Sequence, residues 1–368
     1  MAYIPNDKVK KLIKKYCTDK PNVTLTIGVL KNGEKSYLTY NGNGELADAE
    51  GDGKRLYEIG SITKTFTAAL FSKMVSDGKT EAHSSIGPYI GAKNNGKCYP
   101  TLDRLATHTS GLGRAPISTT SLLFKAITGK GRLSNIYSGF DGKKMEKALL
   151  GLNLEPTDYP TQYTHYGFGV LGYVLGKIDG RGYKTLIEEF VNKDLGLDNT
   201  FFGMPDGKCD GGYSTKNERV GCWVWTDKDA MAGSDCLTSC AEDMLKYAEI
   251  CMSGEHKWLD DCLEPHSEYD DVDDFGYGFI VRASNGIAWH NGSTGAFASF
   301  FAFDRKSGDA VVLLSDYEHV KGEFSVDKIG FEIISPKKEK EKKQTVSDDD
   351  EYEGYEPYVP ENESDTNE

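Results

Sequence analysis

Ser61 and Lys64 stand three residues apart in the segment EIGSITKTFT, directly after a glycine. If a helix opens here, positions i and i+3 share one face, so the lysine amine can reach the serine hydroxyl. Such a pair suits nucleophilic catalysis, in which a base takes the proton of a hydroxyl that attacks a carbonyl. The plainer interpretation is a serine that caps the helix N-terminus beside a solvated lysine. The segment alone leaves both interpretations open.

The spacing Ser-x-x-Lys is weak evidence by itself, because it also begins at Ser76, Ser325 and Ser335. Only the pair at Ser61 follows a strand-and-glycine turn and opens a predicted helix, which ends near Gly78. A lysine with its ordinary pKa of about 10.4 is protonated near neutral pH and cannot accept a proton. It becomes a base only when it is desolvated or lies beside another cation. A second proton acceptor or a positive neighbour is therefore expected elsewhere in the chain.

Two later segments supply candidates for such a partner. TQYTHYGFGVLGYVL places Tyr163 and His165 at the start of a predicted helix, and GIAWHNGSTGAFASF places His290 on a predicted strand. A tyrosine before a helix is often a packing residue, and a histidine on a strand is often a surface residue. Neither segment decides the function when it is taken singly.

The three segments together resemble the serine β-lactamase and penicillin-binding protein superfamily, in the branch with class C β-lactamases, D-alanyl-D-alanine carboxypeptidases, D-aminopeptidases and related esterases. That family carries S-x-x-K at a helix start, then Y-x-N, then K-T-G or H-x-G on a strand facing the serine. The matching segments here begin at Ser61, Tyr163 and His290. LATHTSGLG at 105–113 is similar to the family's turn-forming stretch. The resemblance covers roughly residues 23–334.

The resemblance implies an acyl-enzyme mechanism in which Ser61 is the nucleophile. Lys64 and Tyr163 would share the proton transfer, and the backbone N–H groups of Ser61 and Ser293 would form an oxyanion hole. His290 stands where the family has a lysine, and it would bind a substrate carboxylate or tune Tyr163. The mechanism needs no metal and no organic cofactor.

The remaining predicted substrate-binding residues are His165, Asn291 and Gly292. By the resemblance, Asn291 and Gly292 line the strand along which the acyl chain lies. His165 departs from the family pattern, which has asparagine at this position. A neutral histidine offers one donor and one acceptor nitrogen, whereas a protonated one would repel Lys64 and lower activity at acid pH. The departure bears on the substrate class more than on catalysis.

The pattern of elements predicts an α/β fold of the α+β type. Asn32 and Gly33 separate two β-branched runs and signal a hairpin with a type I′ turn. Short aromatic and β-branched runs after Phe275 predict an antiparallel meander that joins this hairpin in one sheet flanked by helices. The region of about 81–199 is mostly helical and forms an inserted lobe. A cleft between sheet and lobe would hold the site.

The chain divides at residue 335 into a predicted catalytic domain, 1–335, and a predicted disordered acidic tail, 336–368. The tail holds five lysines against twelve acids, which is half of the chain's net charge of −14, and its partner is unknown. This charge argues against nucleic acid as a partner. The resemblance implies a small-molecule or peptide substrate. The sequence shows no transmembrane run and no apolar signal core, so a cytoplasmic location is expected. If Met1 replaces a removed export signal, the location is the cell envelope or the exterior.

The eight cysteines, six of them between Cys209 and Cys262, leave two interpretations open. They are disulfides of an oxidising compartment or buried free thiols, and we favour the thiols. No C-x-x-C pair occurs, which argues against a structural zinc site.

Three functions remain open on the sequence. The first is an amide-cleaving serine hydrolase that acts on a β-lactam or a D-alanyl peptide. The second is an esterase or D-amino-acid amidase on the same scaffold, which His165 and the lack of an export signal favour. The third is a non-catalytic binding protein that keeps the fold.

Overall fold

The computed structural model describes most of the chain before residue 336. The described residues are 2–48, 53–93, 96–116, 135–157, 159–319, 322 and 325–335. The predicted tail, 336–368, lies outside them.

The described part alternates helices with short strands. Its α-helices are α1 Asp7–Cys17, α2 Thr63–Ser76, α3 Leu102–Ala106, α4 Gly142–Leu150, α5 His165–Asp179, α6 Tyr183–Glu189, α7 Ala232–Asp235, α8 Ala241–Ser253, α9 Lys257–Leu263 and α10 Val326–Ile334. Two 3₁₀ turns span Gly60–Ile62 and Gly87–Ile90, and a π-helical turn spans Phe190–Asp194. The strands are β1 Leu25–Lys31, β2 Glu34–Tyr40, β3 Leu46–Asp48, β4 Tyr57–Glu58, β5 Phe201–Phe202, β6 Gly212–Tyr213, β7 Arg219–Val220, β8 Leu237–Ser239, β9 Ser267–Glu268, β10 Asp273–Phe275, β11 Ile280–Arg282, β12 Ala288–Ser293, β13 Ala298–Asp304 and β14 Asp309–Ser315.

A nine-stranded antiparallel sheet in the order β3-β2-β1-β14-β13-β12-β11-β10-β9 forms the centre of the fold. Strands from early and late parts of the chain meet in its middle, where Leu25 pairs with Ser315 and Leu30 with Ala310. The predicted fold class, with one sheet built from strands distant in sequence, is thereby confirmed.

The hairpin between β1 and β2 turns where the sequence predicts it. Lys31 pairs with Glu34, and Asn32 and Gly33 between them have φ values of 52° and 79°. Positive φ at both central residues is the mark of a type I′ turn, whose twist matches that of the two strands. The predicted turn type is confirmed.

Both faces of the sheet are covered, because alternate residues of one strand point to opposite sides. Val311 and Leu313 of β14 pack in a cluster with α1 and α10, to which Ile13 and Ile329 belong. Leu314, on the other face, belongs to the larger cluster that includes α2 and α8. The central strands are therefore buried on both sides and hold a fixed register.

A second sheet of three short strands, in the order β4-β8-β5, lies beside the start of α2. Tyr57 pairs with Ser239 and Glu58 with Thr238, and the chain then turns into the 3₁₀ segment Gly60–Ile62. This sheet fixes the residues before Ser61 to those just after α7. No helix among the described residues is long and apolar enough to cross a membrane.

Candidate active site

Ser61 lies in the 3₁₀ turn that precedes α2, so the plainer interpretation, in which it caps the helix, is wrong. The helix begins at Thr63 and its N-cap residue, Ile62, makes no side-chain cap. The Ser61 hydroxyl instead donates to Asp235 Oδ1 at 2.8 Å and accepts from Lys64 Nζ at 3.0 Å. A buried carboxylate and a buried amine thus engage the hydroxyl in place of the helix N–H groups. Ser61 itself is 7 % exposed.

Lys64 is fully buried at the bottom of the site. Its Nζ donates to Ser61 Oγ and, at 3.0 Å, to the backbone carbonyl of Ser234. Desolvation lowers the pKa of Lys64 to about 8, although the charge of Asp235 at 3.5 Å acts in the opposite direction. The desolvated lysine that base catalysis requires is therefore present next to the serine.

Asp235 is the residue of this site that the sequence analysis did not identify. It ends the short helix α7, is 2 % exposed, and accepts from Ser61, from Ser234 Oγ at 2.6 Å and from Lys64. Burial opposes its charged form, but the Lys64 ammonium and His165 outweigh burial and hold the pKa of Asp235 below its usual range. The carboxylate is therefore ionised and carries a negative charge directly beside the serine.

His165 occupies the first position of α5 and joins the same cluster. Its Nδ1 lies 3.2 Å from Lys64 Nζ and 3.1 Å from Asp235 Oδ2. Desolvation and the charge of Lys64 lower the pKa of His165, so the ring is neutral near neutral pH. One nitrogen cannot accept from Lys64 and donate to Asp235 in the same tautomer. In one tautomer Nδ1 accepts from Lys64, and in the other it donates to Asp235. Which tautomer is present depends on whether Lys64 is protonated.

The turn of Ser61 packs directly against the end of β12. Gly60 has φ 48°, and a Cβ atom there would lie 2.6 Å from Ser293 N and 2.8 Å from Ser293 O. Only glycine fits this approach. Thr294 N donates to Phe297 O across the hairpin, so the N–H of Ser293 points to the opposite side, towards Gly60. This arrangement supports the predicted oxyanion hole of Ser61 and Ser293.

Tyr163 precedes α5 and lies over the amine. Lys64 Nζ is 5.3 Å from the centre of the Tyr163 ring, and the ring lies 5.3 Å from that of His165 and 4.6 Å from that of His108. His108 is buried, has φ 60° and accepts from Thr164 N at 3.1 Å. The turn-forming segment 105–113 therefore positions the residues on both sides of Thr164.

The three predicted substrate-binding residues of β12 point in different directions. His290 is 1 % exposed, lies with its ring 6.1 Å from that of Tyr163, and its Nδ1 is 2.5 Å from Asn291 O. Burial and the charge of Lys64 lower the pKa of His290 to about 3, so it carries no charge. The Asn291 side chain hydrogen-bonds to Asp327 at the start of α10. Gly292 packs against the backbone carbonyl of Ile59, and a Cβ atom there would be 2.0 Å from that oxygen.

An aromatic wall borders the cluster on the side of His165. It consists of Tyr137, Trp223 and Trp225. The Tyr137 ring lies 6.3 Å from the rings of both His165 and Trp223. Tyr137 and Trp223 are buried, and Trp225 is the partly exposed ring of the three.

The family model for beta-lactamase matches residues 9–329 of this chain, which includes every residue of the cluster. The chain belongs to the beta-lactamase family. The superfamily that the three motif segments suggested is thereby confirmed.

The relatives of this beta-lactamase-family protein are named as beta-lactamases and as a putative penicillin-binding protein. A beta-lactamase of Providencia stuartii is 28 % identical over 255 residues, covering 67 % of this chain and 59 % of the relative. The putative penicillin-binding protein PbpX of Bacillus subtilis is 23 % identical over 264 residues, covering 70 % of this chain and 61 % of the relative. The chain thus spans about three fifths of the length of these relatives.

Solved structures match this beta-lactamase-family protein over most of its length. A beta-lactamase/D-alanine carboxypeptidase from Pseudomonas syringae gives a TM-score of 0.71 at 16 % identity, covering 89 % of this chain and 98 % of the other. A D-stereospecific amidohydrolase from Streptomyces sp. gives 0.68 at 18 % identity, covering 90 % and 99 %. At these identities the likeness shows the fold alone.

A buried carboxyl group connects the segment before Ser61 with the segment after Ser293 in this beta-lactamase-family site. Glu58 is three residues before Ser61, and it accepts from Thr294 Oγ1 at 2.6 Å and from the backbone N–H of Trp223. Desolvation raises the pKa of Glu58 to about 8. Because the folded chain holds this proton more tightly than the unfolded chain, Glu58 stabilises the fold below pH 4.5, and the contribution disappears as the pH rises towards 8.

Replacing Glu58 with glutamine should therefore make stability less dependent on pH. Glutamine is isosteric and stays neutral, and the Thr294 hydroxyl can turn to accept from its amide. We expect the thermal midpoint of the wild type to fall as the pH rises from about 5 to about 8, and that of Glu58→Gln to fall less. Circular dichroism melts across this range measure the difference.

Glu218→Gln is the matched control, because Glu218 is an exposed glutamate in the segment between β6 and β7. The thermal midpoint of Glu218→Gln should depend on pH as that of the wild type does. If Glu58→Gln retained it as well, Glu58 would be ionised in the folded chain and its burial would have no effect on its pKa.

Proposed function

We propose that this protein is a serine hydrolase that cleaves an acyl bond through an acyl-enzyme on Ser61. The observation that carries the proposal is the 3.0 Å contact between Ser61 Oγ and Lys64 Nζ, where Lys64 is fully buried and its pKa is lowered to about 8. A solvated N-cap pair would have neither the burial nor the lowered pKa. The family supports a hydrolase, and these contacts support the serine mechanism.

The proposed reaction begins with the neutral form of Lys64. Ser61 Oγ attacks the carbonyl carbon of the substrate while its proton passes to Lys64 Nζ. The N–H groups of Ser61 and Ser293 stabilise the oxyanion. When the intermediate collapses, the leaving group departs with a proton delivered by Lys64 or Tyr163, and water later hydrolyses the acyl-enzyme.

Asp235 and His165 act on this step through Lys64. In the resting cluster the Ser61 hydroxyl donates to Asp235, so it must turn from the carboxylate to the lone pair of neutral Lys64 before attack. His165 can then donate from Nδ1 to Asp235 Oδ2, which replaces the hydrogen bond that the carboxylate loses. We infer that this exchange keeps the buried carboxylate paired throughout the proton transfer.

We propose an amide such as a β-lactam or a D-alanyl peptide as the first substrate class. Relatives and structural neighbours are named for such activities. Both substrates carry a carboxylate, for which the uncharged His290 supplies no positive charge. Arg114 is exposed and near enough to contribute to the lowered pKa of His165, so it is a candidate for this contact.

The lack of positive charge at His290 favours a second candidate substrate, an ester or D-amino-acid amide without this carboxylate. The buried, uncharged His290 and the negative charge of Asp235 suit a neutral or cationic substrate better than an anionic one. Trp225, the partly exposed ring of the aromatic wall, would then contact an apolar acyl group.

Covalent labelling of the wild type distinguishes these candidates. The protein is incubated separately with benzylpenicillin and with a fluorophosphonate, and its intact mass is followed over time. We expect a fluorophosphonate adduct that maps to Ser61, because this reagent needs only an activated serine. A penicilloyl adduct in addition supports the first substrate class, and its absence supports the second. Folded protein that forms neither adduct would overturn the catalytic proposal and favour a binding protein.

A further inference from the structure

Two cysteines meet at the base of the hairpin formed by β6 and β7. The strands pair through Gly212 with Val220 and Tyr213 with Arg219. Cys209 precedes the first strand and Cys222 follows the second. Cys222 Sγ donates to Cys209 O at 3.7 Å. The Cys222 thiol thus lies beside the backbone of Cys209 in the reduced protein.

This pair differs from the other cysteines in contact and in access. All eight cysteines are free thiols, and five of them, including Cys236 and Cys262, are buried. Cys209 and Cys222 are only half-buried, as is Cys98. The hydrogen bond from Cys222 lowers the pKa of Cys209 to about 6, with help from Gly211 N–H and from Arg55. A thiolate is the reactive form of cysteine, so Cys209 is equipped to attack and Cys222 to resolve.

We propose that Cys209 and Cys222 form a redox modification site, at which a low-molecular-weight disulfide of the glutathione type oxidises the pair to an intramolecular disulfide. The Cys209 thiolate attacks one sulfur of oxidised glutathione, whose S–S bond breaks and releases one glutathione thiolate. Cys222 then loses its proton and attacks Cys209 Sγ of the mixed disulfide, which releases the second glutathione. Two protein thiols lose two electrons, and one small disulfide becomes two thiols.

The new bond would lie one residue from the network that supports the oxyanion hole. Trp223 follows Cys222, and its backbone N–H donates to Glu58, which also accepts from Thr294 beside Ser293. The disulfide would fix the base of the hairpin and the position of Trp223. The site therefore places an oxidisable restraint at the edge of the candidate active site, although its chemistry does not depend on the proposed hydrolase activity.

The test treats the full-length, folded protein with oxidised glutathione, followed by alkylation of the remaining thiols and intact-mass and peptide analysis. We expect the loss of two alkylatable thiols without retained glutathione, a linked peptide that joins Cys209 to Cys222, and a thermal midpoint raised by about 5 °C. A reducing agent should reverse all three changes. Cys222→Ser should instead retain one glutathione on Cys209, because the resolving thiol is missing.

Cys98→Ser is the matched control, since it removes another half-buried thiol and should leave the reaction unchanged. An unchanged thiol count in the wild type would overturn the proposal. So would a persistent mixed disulfide on wild-type Cys209, or a linkage through any other cysteine.

Discussion

Ser61→Ala is expected to lower kcat/KM by at least about 10⁴-fold on any substrate that the protein hydrolyses, because the variant lacks the oxygen that we propose as the nucleophile. The fluorophosphonate adduct should disappear as well. The fold should remain, since the buried hydroxyl contributes about 1–2 kcal/mol to the free energy of unfolding through its bond to Asp235. Steady-state kinetics and circular dichroism measure the two effects.

Ser76→Ala is the control for this variant. Ser76 begins a second Ser-x-x-Lys sequence, with Lys79, but it is exposed at the end of α2. Its replacement should leave kcat/KM within about twofold, as usual for surface sites. Folded Ser61→Ala that retained its activity would show that the nucleophile is another residue.

Asp235→Asn is expected to reduce kcat/KM roughly 10²-fold, at the lower end of the range for a positioned proton-transfer group. The amide has only one acceptor oxygen, so it cannot accept from Ser61 and His165 at the same time, as the two oxygens of the carboxylate can. The charge of Asp235 raises the pKa of Lys64, so its removal should lower that pKa below about 8. Because neutral Lys64 is the proposed base, the acid limb of kcat/KM should move to lower pH in the variant.

Asp243→Asn is the control for a merely structural effect. Asp243 is buried in α8, where it accepts from Asn199 N at 2.7 Å and from Thr200 Oγ1 at 2.9 Å. Its replacement should lower stability without moving the acid limb. If the acid limb of kcat/KM did not move in Asp235→Asn while the stability fell, Asp235 would have only a packing role.

The sequence predicts those parts of the fold that local patterns determine. Asn32 and Gly33 predict the turn type, and Gly78 predicts the end of α2, whose last residue is Ser76. Both depend on neighbouring residues only. The helix start at Ser61 was wrong by two residues, because partners distant in sequence bind its hydroxyl more strongly than the local N–H groups do.

The candidate site shows the same division between local and distant information. Ser61 and Lys64 are recognisable because the helix brings them together over three residues. Asp235 reaches Ser61 across 174 residues of chain, and no spacing rule connects the two. One signal in the sequence was a single acid in the otherwise uncharged run MAGSDCLTSC. A charged residue in such a run is rarely buried without a paired function.

The pairing of β1 with β14 has a consequence for how the protein acquires its site. Leu25 and Ser315 are neighbours in the central sheet, and the site collects residues from positions 61, 163–165, 235 and 290–293. Contacts so distant in sequence make loop closure costly, and chains rich in them fold slowly. During synthesis, a ribosome that has passed Lys64 must still add more than two hundred residues before the strand carrying Ser293 can close the sheet. The nascent chain therefore carries Ser61 and Lys64 long before the other residues of the candidate site have been synthesised.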